Sequence, residues 1–301
     1  MTTGILALFF ANFVGGAITA MFVKLGVREI PPITFTVLRF IIAFLVTLPF
    51  YLKHPGIKIS RKNIKWVFID SIFFTANVAL FSISMQYTTV IMSQIIYAFV
   101  PVVVAILGHF LLNERITKHK AIGSFLAFSG LLFLVFQSFK GEQNTFGTPL
   151  GNLLIVIAVF CWSGYMIISK KIAHTHSQIS ISLVNFLIAS VLLSLIVPFE
   201  LATRPFSILN ISTLGIISLL IVGIISSAII INLVQIGIKR CGAFIASLFS
   251  YLPPLAGAIT AVPFLGEKIT LNLVLGGILI IFGVFYATTF TQLKRYITLR
   301  T

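Results

Sequence analysis

Two ionisable residues, Arg39 and Asp70, stand inside long uncharged runs of this 301-residue chain. An ion within an apolar helix is costly unless a partner, a polar lining or a functional role holds it there. At about 1.5 Å per residue, Arg39 lies roughly 20 Å from the basic end of its run and Asp70 about 8 Å from the basic end of its own. A direct pair between them is therefore not expected. Arg39 either braces helices or attracts a carboxylate, and Asp70 either acts within its run or pairs with nearby Lys65 at the interface. Other polar groups occupy similar runs: the amides Asn12, Asn77, Asn232 and Gln94, the hydroxyls Ser93, Ser247 and Ser250, the phenols Tyr97 and Tyr251, and the indole of Trp162. Such groups bind; they do not by themselves make or break bonds. The histidines His119, His174 and His176 fall between runs with few acids nearby, and Cys161 and Cys241 have no paired spacing, so neither a metal, a disulfide framework nor a cofactor is expected. Asp70 is the only acid well inside a run, which leaves facilitated diffusion, counter-exchange and proton antiport all open.

The runs themselves are the elements that must position these groups. Mean hydropathy is +1.12, with 58% hydrophobic and 9% charged residues, too apolar for a soluble domain with a polar exterior. A helix of about 20 apolar residues crosses a bilayer. Ten candidates follow one another: 4–23, 32–52, 65–86, 90–112, 119–138, 149–169, 179–199, 212–236, 242–265 and 271–291. Their length and lack of strict alternation argue against a membrane barrel. The expected fold is thus all-α and polytopic, with ten transmembrane helices. The surplus of 21 basic over 6 acidic residues would suggest nucleic acid in a soluble protein, but here it sits in short loops. Fifteen Lys and Arg fall on one side and five on the other, with Arg39 completing the 21. By the positive-inside rule both termini are expected in the cytoplasm, with the chain multi-pass in the cell (inner) membrane, lipid as its surroundings and no nucleic-acid partner.

The chain also repeats itself. NERIT at 113–117 returns as GEKIT at 266–270, an offset of 153 that places Glu114 on Glu267 and Thr117 on Thr270. Ten of thirty positions are identical between 101–130 and 254–283, including Pro101 on Pro254 and Gly123 and Gly130 on Gly276 and Gly283. An earlier offset of 146 pairs Lys24 with Lys170, Phe40 with Phe186 and Arg39 with Asn185. The halves are expected at 1–138 and 149–293, joined by a linker at 139–148. Five spans per half is an odd number, so the second half enters the membrane from the opposite side. Inverted halves around a midplane site supply the two access states of a secondary transporter. The repeated pentapeptide reads as a helical-hairpin corner: Thr117 and Thr270 cap the following helix, and Glu114 and Glu267 meet that helix's positive end. Pro101 and the pair Pro253–Pro254 interrupt the fourth span of each half, and such breaks border substrate sites. The polar residues just upstream, Ser93, Gln94, Tyr97, Ser247, Ser250 and Tyr251, either line a cavity or bond back to their own helix. The paired glycines allow close helix packing.

Two five-span halves, each with a Pro in the fourth span, then Glu-basic-Ile-Thr and Gly-x6-Gly in the fifth, resemble EamA-type members of the drug/metabolite transporter superfamily. The resemblance covers essentially the whole chain. It implies a ten-helix inner-membrane carrier, monomeric or homodimeric, commonly exporting amino acids or other small metabolites through a cavity lined by both halves. Relatives that carry nucleotide sugars or phosphorylated sugars would favour several basic residues in that cavity, and this chain offers one, Arg39. A polytopic membrane enzyme and a non-transporting scaffold or receptor are the rival classes.

Overall fold

Lipid offers the backbone no hydrogen bonds, so a chain of uncharged runs must satisfy its own amides, and helices do this within each segment. The computed structural model describes residues 2–53, 63–112, 118–138, 143–173 and 175–298, and among them every regular element is helical. In the first half these are α1 (Thr2–Glu29), α2 (Pro32–Lys53), α3 (Ile64–Ser84), α4 (Val90–Tyr97), α5 (Val100–Leu112) and α6 (Lys118–Ser138). A short α7 (Gln143–Phe146) leads into α8 (Pro149–Ile172), α9 (Gln178–Ser194) and α10 (Val197–Thr203). The chain closes with α11 (Thr213–Ile221), α12 (Ile231–Cys241), α13 (Ala243–Leu248), α14 (Leu252–Leu265) and α15 (Leu271–Thr298).

Hydroxyl caps start many of these helices. Thr89, Thr148, Ser177, Ser212 and Thr270 accept from the backbone N–H three residues on, at 3.1–3.3 Å, opening α4, α8, α9, α11 and α15. Gly266 ends α14 at φ 66°, a left-handed stop that other residues adopt at a cost.

Seven helical runs are long and apolar enough to cross a membrane, and an eighth results if α9 and α10, bent by 46°, form one span. Two shorter apolar stretches, Ala121–Leu134 in α6 and Leu271–Gly283 in α15, occupy the remaining expected positions. Outward faces carry Phe110, Phe125, Phe199 and Phe264, each more than two-thirds exposed, as a lipid-facing surface requires.

The two halves interleave. The most extensive pairings set α6 against α15, α3 against α8, α2 against α9, and α1 against α14 and α12, each joining a first-half to a second-half helix. Close approach in the α6–α15 pair depends on glycine. A Cβ on Gly130 would stand 3.0 Å from Gly276 O, and one on Gly283 would collide with Gly123 O and the Ala127 backbone. At the centre Phe40, Phe74 and Phe186 pack with centroids 5.2–6.1 Å apart, and Tyr165 joins at 5.3 Å from Phe74. All four side chains are fully buried.

Four elements depart from regular α geometry. The break between α4 and α5 falls at Ala98–Phe99, where Ala98 N–H reaches Ile95 O and Phe99 N–H reaches Ile96 O in tight three-residue turns. Between α13 and α14 a 3-10 turn spans Phe249–Tyr251. Residues Val222–Ile230, joining α11 to α12, form a π-helix. The α9–α10 bend is the fourth. The prolines stand elsewhere than the sequence suggests. Pro101 and Pro253 occupy the second position of α5 and α14, with Pro254 next, so they open half-helices and do not interrupt intact ones. A first-turn Pro is tolerated because its missing N–H has no intrahelical partner there.

Candidate functional site

A cavity with a largely apolar wall and a few polar groups lies where three of these irregular elements meet, the α4–α5 break, the π segment and the α13–α14 junction. It is lined by α1 (Asn12, Gly15, Gly16, Thr19), α2 (Arg39), α3 (Asn77, Val78, Phe81), α4 (Gln94, Tyr97), α8 (Trp162), the π segment and α12 (Ser226, Ile230, Val234), and the α13–α14 junction (Ser250, Pro253). Both halves therefore contribute. The space open to the centres of water molecules is about 150 Å³, roughly ten times the minimum that holds one water. That is room for a small organic solute.

Arg39 is 3% exposed, and its Nε donates to Ser227 Oγ at 2.9 Å. Its guanidinium carbon lies 5.2 Å from the centre of the Phe40 ring. No carboxylate pairs with it among the described residues, where the one ion pair joins Lys24 to Glu267. Arg39 is also the only charged residue among the described cavity wall. Also on the wall, Asn77 Nδ2 donates to Tyr97 Oη at 2.6 Å and to Ala158 O at 2.8 Å, fixing both side chains. Trp162 packs on Tyr165 with centroids 5.0 Å apart. Asn12 donates to Leu8 O at 2.9 Å within its own helix while still lining the space.

The remaining sequence candidates lie outside this wall. Ser93 and Ser247 donate back to Val90 O and Phe244 O, both at 2.7 Å, and Asn232 to Ala228 O at 2.7 Å, so each satisfies its own helix. Tyr251, Pro101 and Pro254 are likewise absent from the lining. Thr19 and Ser226 were not singled out from the sequence, yet both line the cavity and Thr19 Oγ1 donates to Ser226 Oγ at 3.0 Å. Their signal was only a hydroxyl in an apolar run, which a back-bond to the same helix explains equally well.

Asp70 belongs to a separate buried network. Its carboxyl accepts from Ser169 Oγ at 2.8 Å and from Asn185 Nδ2 at 2.9 Å. Ser71 Oγ donates to Asn185 Oδ1 at 2.6 Å, and Gln235 Nε2 donates to Ser169 Oγ at 3.0 Å and Tyr165 Oη at 2.6 Å. The pairing with Lys65 weighed from the sequence does not form; Asp70 is fully buried and turned toward α8 and α9. Asn185 and Arg39, paired by the 146-residue offset, make corresponding contacts. Each reaches from the second helix of its half to a serine in the third span of the other half, Ser71 or Ser227.

The corner motif divides. Residues 113–117, with Glu114 and Thr117, fall outside the described residues. Thr270 accepts from Leu273 N at 3.3 Å. Glu267 corrects the sequence reading: its carboxylate does not serve α15 but accepts from Val90 N at 2.7 Å and Ile91 N at 2.9 Å, the first turn of α4. Thr89 already serves Met92 N, so the first three amides of α4 are all satisfied. Lys24 Nζ lies 3.2 Å from Glu267 and donates to Thr88 O at 2.8 Å. Glu200 repeats the device on α2, accepting from Ile33 N and Thr34 N at 2.8 Å, and Glu29 holds Ser212 N at 2.8 Å where α11 begins. The contacts of these three carboxylates, Glu267, Glu200 and Glu29, each cross between halves at one end of the bundle. No group of three metal-ligating side chains occurs among the described residues.

The profile described as the EamA-like transporter family matches residues 2–136 and again 149–289. "Uncharacterized transporter YyaM" of Bacillus subtilis (strain 168) is 28% identical over 297 residues, 98% of this chain and 96% of that one. The "Probable amino-acid metabolite efflux pump" of Escherichia coli (strain K12) is 26% identical over 285 residues, 87% of each chain. A crystal structure 18% identical in sequence superposes with a TM-score of 0.71 over 96% of this chain and 98% of its own, which shows a shared fold.

Proposed function

We propose, from the premise that this chain belongs to the EamA-like transporter family, that it is an inner-membrane secondary transporter exporting amino acids or related small metabolites by alternating access. The observation that carries the reading is the cavity itself, apolar over most of its wall with a few polar groups facing in. It lies between halves, it is bordered by the half-helix junctions of both, and its wall offers an ion, amides, hydroxyls and an indole. The Escherichia coli relative's name points to the same solute range. Ten spans in two inverted repeats, 1–138 and 149–293, with both termini cytoplasmic, complete the reading. The corresponding contacts of Arg39 and Asn185 support the inversion.

Interleaving shapes how access would alternate. Rocking residues 1–138 as one body against 149–293 would part the most extensive helix pairings in the molecule. The cheaper movement is local. Half-helices α4, α5, α13 and α14 pivot at their junctions and the π segment shifts register, while α3–α8 and α6–α15 stay packed. The three carboxylate contacts at one end then act as latches, each exchanging two hydrogen bonds for solvation as that end opens.

Counterflow in proteoliposomes tests the proposal. Folded, reconstituted protein preloaded with a solute should accumulate labelled solute transiently and saturably. A broad amino-acid and metabolite panel giving no protein-dependent counterflow would contradict it.

A further inference from the structure

We infer that the preferred solutes are singly negative organic acids, in which a carboxylate pairs with Arg39 and no ammonium group is present; this rests on the carrier reading above and narrows its solutes to the related metabolites, setting free amino acids aside. A guanidinium buried in a wall facing a cavity is destabilised unless an anion reaches it. Nε is engaged by Ser227, the Phe40 ring packs beside the group, and its other N–H donors have no partner among the described residues. The cavity is therefore preorganised for one carboxylate, which a planar guanidinium can meet with two parallel hydrogen bonds.

What the cavity lacks is equally specific. A zwitterionic amino acid brings a second positive charge beside Arg39, which a cavity stripped of water holds only against a second anion. All four described acids are committed elsewhere: Glu29, Glu200 and Glu267 to helix N-termini and Asp70 to Ser169 and Asn185. None lines the cavity. Asn77 spends both N–H donors on Tyr97 and Ala158, and Thr19 gives its hydroxyl hydrogen to Ser226, so what these two side chains keep for a solute is neutral oxygen and no negative charge. Val78, Phe81, Trp162, Ile230 and Val234 contribute apolar surface to the same wall. Such a wall suits an apolar or aromatic tail, with Gln94 and Ser250 available to a carbonyl or hydroxyl. A deaminated or N-acylated amino acid fits this pattern; the ammonium of the free amino acid finds neutral oxygens but no counter-ion among the described lining residues.

Matched compounds separate these outcomes. Wild-type protein in liposomes would be tested by counterflow at neutral pH with phenylpyruvate and N-acetylphenylalanine (singly negative), phenylalanine (zwitterionic) and phenylalaninamide (positive), against protein-free liposomes. An aliphatic set built on leucine would run alongside. The expected result is protein-dependent counterflow of the acids at least tenfold faster than of the zwitterion, with none of the cation. Arg39→Gln should abolish that preference and Arg39→Lys should retain part of it. Because the wild-type panel needs no variant, misfolding of Arg39→Gln cannot mask the answer. Equal or faster counterflow of phenylalanine or its amide would overturn the charge assignment and leave the carrier reading standing. Silence of every compound, in protein shown to be folded, would overturn both.

Discussion

Asn77 donates to Tyr97 Oη at 2.6 Å on the cavity wall, whereas Tyr251 does not line the cavity. Tyr97→Phe removes the acceptor and frees the Asn77 amide to turn, a loss on the order of 1 kcal/mol. The expected outcome is a KM raised about fivefold, read from the concentration dependence of uptake, while Tyr251→Phe stays near wild type. The opposite order would show that the wall is drawn around the wrong tyrosine. Asp70 has a different role. Removing its carboxyl strands Ser169 and Asn185 in a dry interior shared by α3, α8 and α9. Asp70→Ala should therefore lower stability by about 2–3 kcal/mol, measured by thermal unfolding in detergent. Asp70→Asn should recover part of that loss, since an amide oxygen still accepts.

Helix ends and crossings carry most of what could be read in advance and most of what could not. Apolar runs located most helix starts within a few residues, and Thr270 was legible as a cap, because hydropathy and a hydroxyl before a run are local signals; the caps Thr89, Thr148, Ser177 and Ser212 emerged only from the structure. Which helix a carboxylate serves is not local. Glu267 sits one turn ahead of α15 in sequence but caps α4, 177 residues away, and no spacing in the chain encodes that. The π segment was similarly hidden, since Val222–Ile230 reads as an ordinary apolar run. Tyr97, Gln94, Asn77, Asn12, Trp162, Ser250 and Arg39 reach the cavity because polarity inside a span has few places to go, whereas Ser93, Ser247 and Asn232 found the alternative, their own helix. Two expectations follow at this level. Glu267→Ala uncaps α4 and leaves Lys24 without its carboxylate, which should cost about 2 kcal/mol, visible as a lowered thermal midpoint. Gly16→Leu should abolish folding or insertion, because even a Cβ there would stand 2.5 Å from Pro253 Cα and force α1 away from α14.

Taken as a whole, the molecule is two interleaved halves with an aromatic plug, Phe40, Phe74, Phe186 and Tyr165, packed among α2, α3, α8 and α9. In the proposed cycle the pairs α3 with α8 and α6 with α15 stay packed while the junctions at α4–α5 and α13–α14 and the π segment move. Latches gather at one end and the Asp70 network lies apart from them, so opening one end need not dismantle the other. The direct test is sidedness at the cavity. With Cys161 and Cys241 replaced by Ser, Ser250→Cys places one thiol on the wall. A membrane-impermeant maleimide applied to right-side-out and to inside-out vesicles should label it from both faces, with each labelling slowed by a solute that supports counterflow. Labelling from one face alone, unchanged by any transported solute, would contradict a cavity that opens alternately to the two sides.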